Sequence, residues 1–345
     1  MGSDRSESRA EADAGHTGRE AGDPREIPAK GWKAVALRTK QQVKHDNITI
    51  LAAGVAFYLL LALAPATVAI LAIYGLVADP SGVAEDINQF GATLPADARQ
   101  LMTDQLRTAA SSSGGKLGFG LVIGLVAAVL GASKGARSMI EAVNVAFDEE
   151  ETRGFVKLRV LALTFTLGFI VMMLVGLGAI TILPAIGDRL GSGGRLAASV
   201  LRWPVLAVVA LAALAALYRW APDRDDARWR WVTPGALVAA VLWLLGSALF
   251  TIYADHFGSF GKTYGALGAV VVLMLWLFLT AVVILIGAEV NAESERQTRR
   301  DTTEGEARPL GRRRAYAADT VGPDPSEEPS PKDGDEAGKP SQRRS

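Results

Sequence analysis

Six long stretches of the sequence contain no Asp, Glu, Lys or Arg. They are residues 47–78, 117–133, 160–187, 203–218, 231–254 and 263–288. A helix needs about 20 apolar residues to cross the hydrocarbon layer of a membrane, and a charge near its centre costs about 2.5 to 3.5 kcal/mol. Soluble domains have no comparable reason to avoid charge. The sequence therefore predicts an all-α integral membrane protein.

Each charge-free stretch corresponds to one predicted transmembrane helix. The predicted spans are about 48–77, 117–133, 160–186, 197–218, 232–254 and 264–290. The second and fourth stretches are shorter than usual, but Lys134 and Arg202 flank them and can extend their charged ends to the membrane interface. We therefore expect a bundle of six transmembrane helices.

The charged residues are concentrated in the tails and the loops. Although 36 basic residues balance 36 acidic ones overall, residues 1–30 and 296–345 are highly charged and hold few large apolar side chains. Such segments bury too little apolar surface to offset the entropy lost on ordering. We expect two disordered tails around one membrane domain, residues 31–295.

The basic residues of the loops predict the orientation, because Lys and Arg in short loops favour the cytoplasmic side. They are frequent before the first span, between spans two and three, between spans four and five, and after span six. Both termini are therefore expected in the cytoplasm. The opposite side receives the loop 79–116, where residues 96–110 predict a short amphipathic helix.

Two spans contain residues that bear on packing. Small residues recur at four-residue intervals in the second span, at Gly120, Gly124, Ala128 and Ala132. This spacing lines one helix face and favours close packing against a neighbouring helix, with a passage lined by small residues as the alternative. Pro65 interrupts the first span and predicts a kink, which is a candidate hinge.

A polar stripe continues the second span beyond the membrane boundary. It consists of Lys134, Arg137, Ser138, Glu141 and Asn144, and Arg153 follows it. The stripe is either a solvated helix face or a candidate ligand site with cations that face the bundle interior and need an acidic partner. Glu289 is the candidate partner, because a carboxylate near hydrocarbon is usually paired.

A second polar cluster lies between spans five and six, on the predicted opposite side. It includes Tyr253, Lys262 and Tyr264. Interfacial tyrosines are ordinarily membrane anchors. The alternative is that this cluster contacts a ligand head group or gates an opening.

Six short motifs occur along the chain. They are AAGVAFYLLLALAP at 52–65, EAVNVAF at 141–147, YRWAP at 218–222, PGA at 234–236, KTYGALG at 262–268 and GAEVNA at 287–292. In combination they resemble the YihY/BrkB family of six-span bacterial inner-membrane proteins, known as virulence factor BrkB-like and once labelled ribonuclease BN. The resemblance covers about residues 31–295 and implies a multi-pass protein of the inner membrane. It implies little about activity, and a tryptophan frequent in the family near the end of span two is absent.

The chemistry of the residues argues against an enzyme. His16, His45 and His256 fall in three separate places, and no phosphate-binding glycine loop, nucleophile elbow or paired carboxylates stand within the spans. We therefore expect no catalytic residue, metal, cofactor or nucleic acid. Two classes stay open: a transporter-like or lipid-handling protein for an anionic solute or lipid, and a membrane scaffold that recruits partners through its tails. The oligomeric state does not follow from the sequence.

Overall fold

The structure is a computed structural model that describes residues 17–77, 115–189, 191–264 and 266–323. Its helices, in chain order, are α1 (Ala29–His45), α2 (Ile48–Val77), α3 (Gly115–Ala146), α4 (Phe155–Arg189), α5 (Gly191–Trp220), α6 (Trp229–Tyr264), α7 (Ala266–Glu295) and α8 (Tyr316–Asp319). This part of the chain has no β-strand, only one isolated antiparallel bridge between Ala227 and Thr303. The predicted all-α class is therefore confirmed.

Four of the described helical segments are long and apolar enough to cross a membrane. They are Phe155–Gly176, Leu196–Trp220, Trp229–Tyr253 and Val270–Glu295. A fifth candidate is the pair Ala29–His45 and Ile48–Leu63, which is bent by 65°. The bend lies at Asn47, whose φ of 51° is in the left-handed region that asparagine tolerates. Six spans and the orientation of the termini stay predictions.

The long helices pack in chain order, and α7 closes the bundle. Each helix from α2 to α7 contacts the next one along the chain, and α7 also contacts α1, α2 and α3. Its second half is enclosed by protein, with Ala281, Leu285 and Ala288 fully buried. Within a membrane span such side chains stabilise the contact by van der Waals packing, because lipid tails are as apolar as leucine. This half of α7 is therefore the axis around which the other helices are arranged.

Two predicted connections are helical instead of being loops. Between the predicted third and fourth spans, residues 188–189 end α4 and residues 191–196 form the first turns of α5. The segment after Tyr253, expected as a turn, continues α6 as far as Tyr264. Backbone hydrogen bonds within a helix satisfy polar groups without water, so a helix extends beyond its apolar run at little cost. The predicted amphipathic helix at 96–110 lies outside the described residues.

Parts of both tails are folded, contrary to the expected disorder. Residues 17–28 and 296–323 lie against one end of the bundle, where Thr298, Thr302 and Arg313 are buried. Hydrogen bonds and ion pairs between buried polar groups, together with small apolar side chains, stabilise these segments. Amino-acid composition alone does not predict such interactions. We call the region formed by residues 17–46, 144–157, 219–233 and 289–323 the polar cap.

Candidate functional site

Two glycines bring α6 and α7 into direct contact at the base of the polar cap. The Gly235 N–H donates a hydrogen bond to Asn291 Oδ1 at 2.7 Å, and Asn291 Nδ2 donates to the Val232 carbonyl at 3.1 Å. A Cβ atom at Gly235 would collide with the Gly287 carbonyl. The crossing therefore requires glycine, and Asn291 binds the two backbones together.

Tyr218 attaches α5 to the same crossing. Its hydroxyl donates a hydrogen bond to the Ile284 carbonyl at 2.8 Å, and the ring is almost completely buried. A Cβ atom at Gly287 would collide with this hydroxyl. Three motifs that carried the resemblance, at 218–222, 234–236 and 287–292, thus meet at one three-helix junction.

Asn144 connects two loops of the polar cap. It is buried, its Nδ2 donates to Glu151 Oε2 at 2.9 Å, and its Oδ1 accepts from the Asp223 N–H at 2.7 Å. The chain turns back after α3 at Asp148, whose φ is 55°. The Glu149 N–H donates a hydrogen bond to the Asn144 carbonyl at 2.9 Å and closes this helix end. Asn144 is therefore a structural residue of the cap.

Arg153 continues this network toward the start of α4. Its guanidinium lies 2.7 Å from Glu151 and 3.5 Å from Asp223, and it donates to the Ala221 carbonyl at 2.7 Å. Burial alone would raise the pKa of Asp223, but hydrogen bonds from Thr152 and the charge of Arg153 outweigh it and lower the pKa. Both carboxylates are therefore charged and engaged at neutral pH.

Two buried ion pairs join the second half of α7 to the rest of the cap. Arg224 Nη2 lies 2.7 Å from Glu295 Oε2, and Thr302 also donates to this carboxylate. Arg38 on α1 pairs with Glu293, which also accepts from Arg296 at 2.6 Å. Buried charges of this kind require a partner, because desolvation of an isolated ion costs several kcal/mol.

Clefts open where the cap meets the start of α4. One, of about 430 Å³, is lined by Thr152, Arg153, Gly154, Phe155, Val156, Lys157, Asp223 and Arg314. An adjoining cleft of about 370 Å³ is lined by Glu149, Thr152, Asp223, Arg224, Asp225, Arg314 and Ala315. They share Thr152, Asp223 and Arg314. We call the first one the α4 cleft.

The predicted polar stripe is divided by the structure. Lys134 is exposed, and Arg137 pairs with the exposed Glu141 at 2.8 Å, one helical turn away. Asn144 alone faces the protein interior. Neither Lys134 nor Arg137 pairs with Glu289, so that predicted ion pair is wrong. The rotation of α3 about its axis places the two cations on the outer face.

The other predicted site residues are spread over the bundle. Tyr253 is exposed beside Phe250, with ring centroids 6.1 Å apart. Lys262 and Tyr264 belong to α6, Pro65 to α2, and Gly120, Gly124 and Ala128 to α3. The structure does not describe the surroundings of these six residues. Ala132 is buried. Next to it, a Cβ atom at Gly135 would lie 3.3 Å from Ala62 Cβ, so α2 and α3 pack closely here.

Several important polar residues were not anticipated from the sequence. They are Arg38, Arg224, Glu293, Glu295 and Arg313. The one available signal was the spacing of Glu289 and Glu293, which places two carboxylates on one face of the final span. Their partners lie far away along the chain, and Arg38 and Glu293 are 255 residues apart.

The fold and the charge-free helices together define an all-helical membrane protein. Comparison with protein families gives the same class: the model of the family described as Virulence factor BrkB matches residues 39–311. The chain therefore belongs to the Virulence factor BrkB family, which confirms the resemblance.

Relatives of this chain are named as membrane proteins or ribonuclease-like. The ribonuclease-like protein YfkH of Bacillus subtilis (strain 168) is 32% identical over 255 residues, which cover 70% of this chain and 87% of YfkH. A UPF0761 membrane protein of Aliivibrio salmonicida (strain LFI1238) is 27% identical over 260 residues, covering 74% of this chain and 81% of that protein. No solved structure shows a significant match.

Within the described residues, no group of three or more His, Cys, Asp or Glu side chains is placed to hold a metal ion. The name ribonuclease-like belongs to YfkH, and the other names specify a membrane protein without a reaction. The chemistry visible in the polar cap is ion pairing and hydrogen bonding.

Proposed function

We propose that this protein binds and handles an anionic lipid, with the head group held in the α4 cleft. It would do so as a multi-pass protein of the bacterial inner membrane, with the polar cap in the cytoplasm. The observation that carries the proposal is the juxtaposition of unpaired cations and exposed apolar side chains at the point where a candidate membrane span begins.

The cations are Lys157 and Arg314. Both side chains are exposed, and neither forms an ion pair with any described residue. Arg153 also lines this cleft but is already paired with Glu151. Two unpaired cations beside a cleft are suited to a phosphate group, which accepts charge-assisted hydrogen bonds.

The apolar side chains are Phe155 and Val156, each 72% exposed. A candidate membrane span begins with Phe155, and this start of the span supports a position of both side chains near the edge of the hydrocarbon layer. The first turn of α4 has no acidic residue, so the positive end of the helix dipole is not neutralised by its own sequence. The α4 cleft thus offers a site for phosphate next to a site for acyl chains.

The proposal is tested by measuring lipid retention and lipid transfer. The full chain is reconstituted in vesicles of phosphatidylglycerol or of phosphatidylcholine, and three double variants are compared. They are Lys157→Ala with Arg314→Ala, Lys134→Ala with Arg137→Ala, and Lys33→Ala with Lys40→Ala. Each removes two exposed positive charges, so net charge is matched. Bound lipid is counted by mass spectrometry, and transfer is followed with a labelled phosphatidylglycerol.

We expect the Lys157 and Arg314 variant alone to lose about tenfold or more in phosphatidylglycerol retention, since each charged hydrogen bond contributes about 1.5–3 kcal/mol. Equal loss in all three variants contradicts a specific site. Loss of phosphatidylglycerol retention in the Lys134 and Arg137 variant alone would show that the lipid binds at the polar stripe predicted from the sequence.

The second candidate function is a membrane scaffold. The folded parts of both tails favour it, because they extend the polar cap into a surface of its own. Retention of phosphatidylglycerol without transfer in any vesicle would favour this alternative, with the lipid as a structural ligand.

A further inference from the structure

Helix α1 presents four lysines on the outer surface of the polar cap. At 3.6 residues per turn they lie within about a quarter of the helix circumference. All four are exposed, whereas Val35 and Arg38 on the opposite side of the helix are buried against the rest of the cap. We call these residues the α1 lysine face. They are Lys30, Lys33, Lys40 and Lys44.

The α1 lysine face has no counter-charge within the described part of the chain. Helix α1 contains no acidic residue, and none of the four side chains forms an ion pair with a described residue. Like charges three or four residues apart on a helix destabilise it, as for Lys30 with Lys33 and Lys40 with Lys44. An acidic segment bound to this face would relieve the repulsion.

The described part of the chain ends beside α1. Arg38 Nη1 donates a hydrogen bond to the Pro323 carbonyl at 3.3 Å, and Arg19 donates to the Gly322 carbonyl at 2.7 Å. The residues that follow, 324–336, contain six carboxylates and one lysine. A segment of this length can span at most about 45 Å, whereas a helix of 17 residues is about 25 Å long and about 10 Å wide. The acidic residues can therefore reach every lysine of this face.

The first 16 residues are the competing occupant from the same chain. They also continue from a position next to α1, because a Cβ atom at Gly31 would collide with the Thr17 carbonyl. Their charge is less complementary, since two arginines offset four acidic residues. In residues 324–336 a single lysine offsets six. Charge complementarity therefore favours the C-terminal segment.

We propose that residues 324–336 dock on the α1 lysine face of the same molecule. Attachment at Pro323 keeps the carboxylates at a high effective concentration beside the lysines, which favours contact within one molecule over contact between two. The bound segment shields this face from other anions, including a lipid surface. The proposal is independent of lipid binding in the α4 cleft.

The reactivity of each lysine measures the contact. The full chain in nonionic detergent at low ionic strength is acetylated briefly, and each modified lysine is quantified by mass spectrometry against Lys157, which lies on another helix. It is compared with a chain that ends at residue 323 and with two fourfold variants, each of which removes four negative charges. The test variant carries Glu327→Gln, Glu328→Gln, Asp335→Asn and Glu336→Gln, and the matched control carries Asp4→Asn, Glu7→Gln, Glu11→Gln and Asp13→Asn.

We expect the α1 lysine face to react at least about threefold faster in the shortened chain and in the test variant, and at the full-chain rate in the matched control. Salt at about 1 M should abolish the difference, because it reduces the screening length to about 3 Å. Equal reactivity in all four chains overturns the proposal. An equal or larger increase in the matched control overturns it as well. Melting temperatures should agree, because exposed ion pairs contribute little to stability.

Carbodiimide coupling identifies the occupant, because it joins a lysine amine to a carboxylate that contacts it. Equal amounts of ¹⁵N-labelled and unlabelled full chain are mixed, so that bonds within one molecule are distinguished from bonds between two. We expect bonds from the α1 lysine face to residues 324–336 within one molecule. Bonds found only between labelled and unlabelled chains, or none to this segment, overturn the proposal.

Lipid nanodiscs separate the acidic segment from a lipid surface. The acetylation measurement is repeated in nanodiscs of phosphatidylcholine and of phosphatidylglycerol. We expect the α1 lysine face of the full chain to be protected to the same degree with either lipid. Protection of the full chain that requires phosphatidylglycerol overturns the proposal, since the lipid surface would then cover this face.

Discussion

Arg224 and Glu295 form an ion pair from which water is almost completely excluded. The two side chains are 1% and 0% exposed, and their nearest charged atoms are 2.7 Å apart. The guanidinium also lies over the Phe147 ring, 5.2 Å from its centroid. This pair joins the loop after α5 to the end of α7, and thereby holds the tail against the bundle.

Removing one member of this pair should destabilise the protein strongly. Glu295→Gln leaves the buried Arg224 cation without its counter-charge, and we expect a loss of about 3–5 kcal/mol in the free energy of unfolding. Thermal unfolding in detergent measures the effect. The double variant Arg224→Met, Glu295→Leu should recover much of it, and strictly additive losses would show that the two charges do not interact.

The exposed pair on α3 is the matched comparison. Arg137 and Glu141 are 2.8 Å apart, and their side chains are 42% and 51% exposed. Arg137→Ala should cost less than about 1 kcal/mol, because solvent screens an exposed pair. A loss as large as that of Glu295→Gln would mean that α3 buries this face against another surface.

Gly287→Ala should destabilise the three-helix junction. Its Cβ atom would collide with the Tyr218 hydroxyl and would lie 2.7 Å from the Gly235 carbonyl oxygen and 2.8 Å from Ala239 Cβ. We expect a loss of about 1–3 kcal/mol, seen as a lower melting temperature. Gly168→Ala on α4 is the control, since no atom lies within 4 Å of the added Cβ. That control should gain slightly from better helix propensity.

Glu149 should make the stability of the cap depend on pH. Burial is the main cause that raises its pKa from 4.5 to about 7. The Tyr316 N–H donates a hydrogen bond to the carboxylate, and this bond lowers the pKa in part. Between these two pH values the folded state binds more protons than the unfolded state. The contribution of Glu149 to folding stability therefore falls as the pH rises from about 4.5 to about 7, and is constant above.

Glu149→Gln should remove this part of the pH dependence, which we expect to be on the order of 1 kcal/mol after solvent screening. Glutamine still accepts the Tyr316 N–H, so the structure is retained. Melting temperatures of the two proteins across this pH range provide the measurement. Curves that stay parallel would show that Glu149 titrates in the folded protein as it does in the unfolded chain.

The segment 299–323 should be required for a stable cap. Arg313 donates to the carbonyls of Arg299, Arg300 and Ala318, and Thr302 donates to Glu295. A chain that ends at residue 298 loses all of these bonds and should melt at a clearly lower temperature. A chain that ends at residue 323 keeps them and should match the full-length protein. Equal melting of all three chains would contradict a structural role for the segment.

The charge-free stretches were sufficient to predict the all-α membrane class, and the short motifs were sufficient to predict the family. Both depend on local properties: transfer of apolar side chains into hydrocarbon is nearly additive along a helix, and the motifs are contiguous in the chain. The same local property does not show where a helix ends, since α5 and α6 continue through segments that were expected to be loops.

Only the tertiary structure decided which polar residues work together. The sequence placed Lys134, Arg137 and Asn144 on one stripe, but the rotation of α3 left the cations outside and buried the asparagine. Glu289 was expected to pair with a cation of this stripe, but Lys134 is exposed and Arg137 pairs with Glu141. Partners in the cap are far apart along the chain: Arg38 and Glu293 are separated by 255 residues. Charge pairing at that separation depends on how the helices pack, because the energy of each pair is set by its burial and not by its spacing in the sequence.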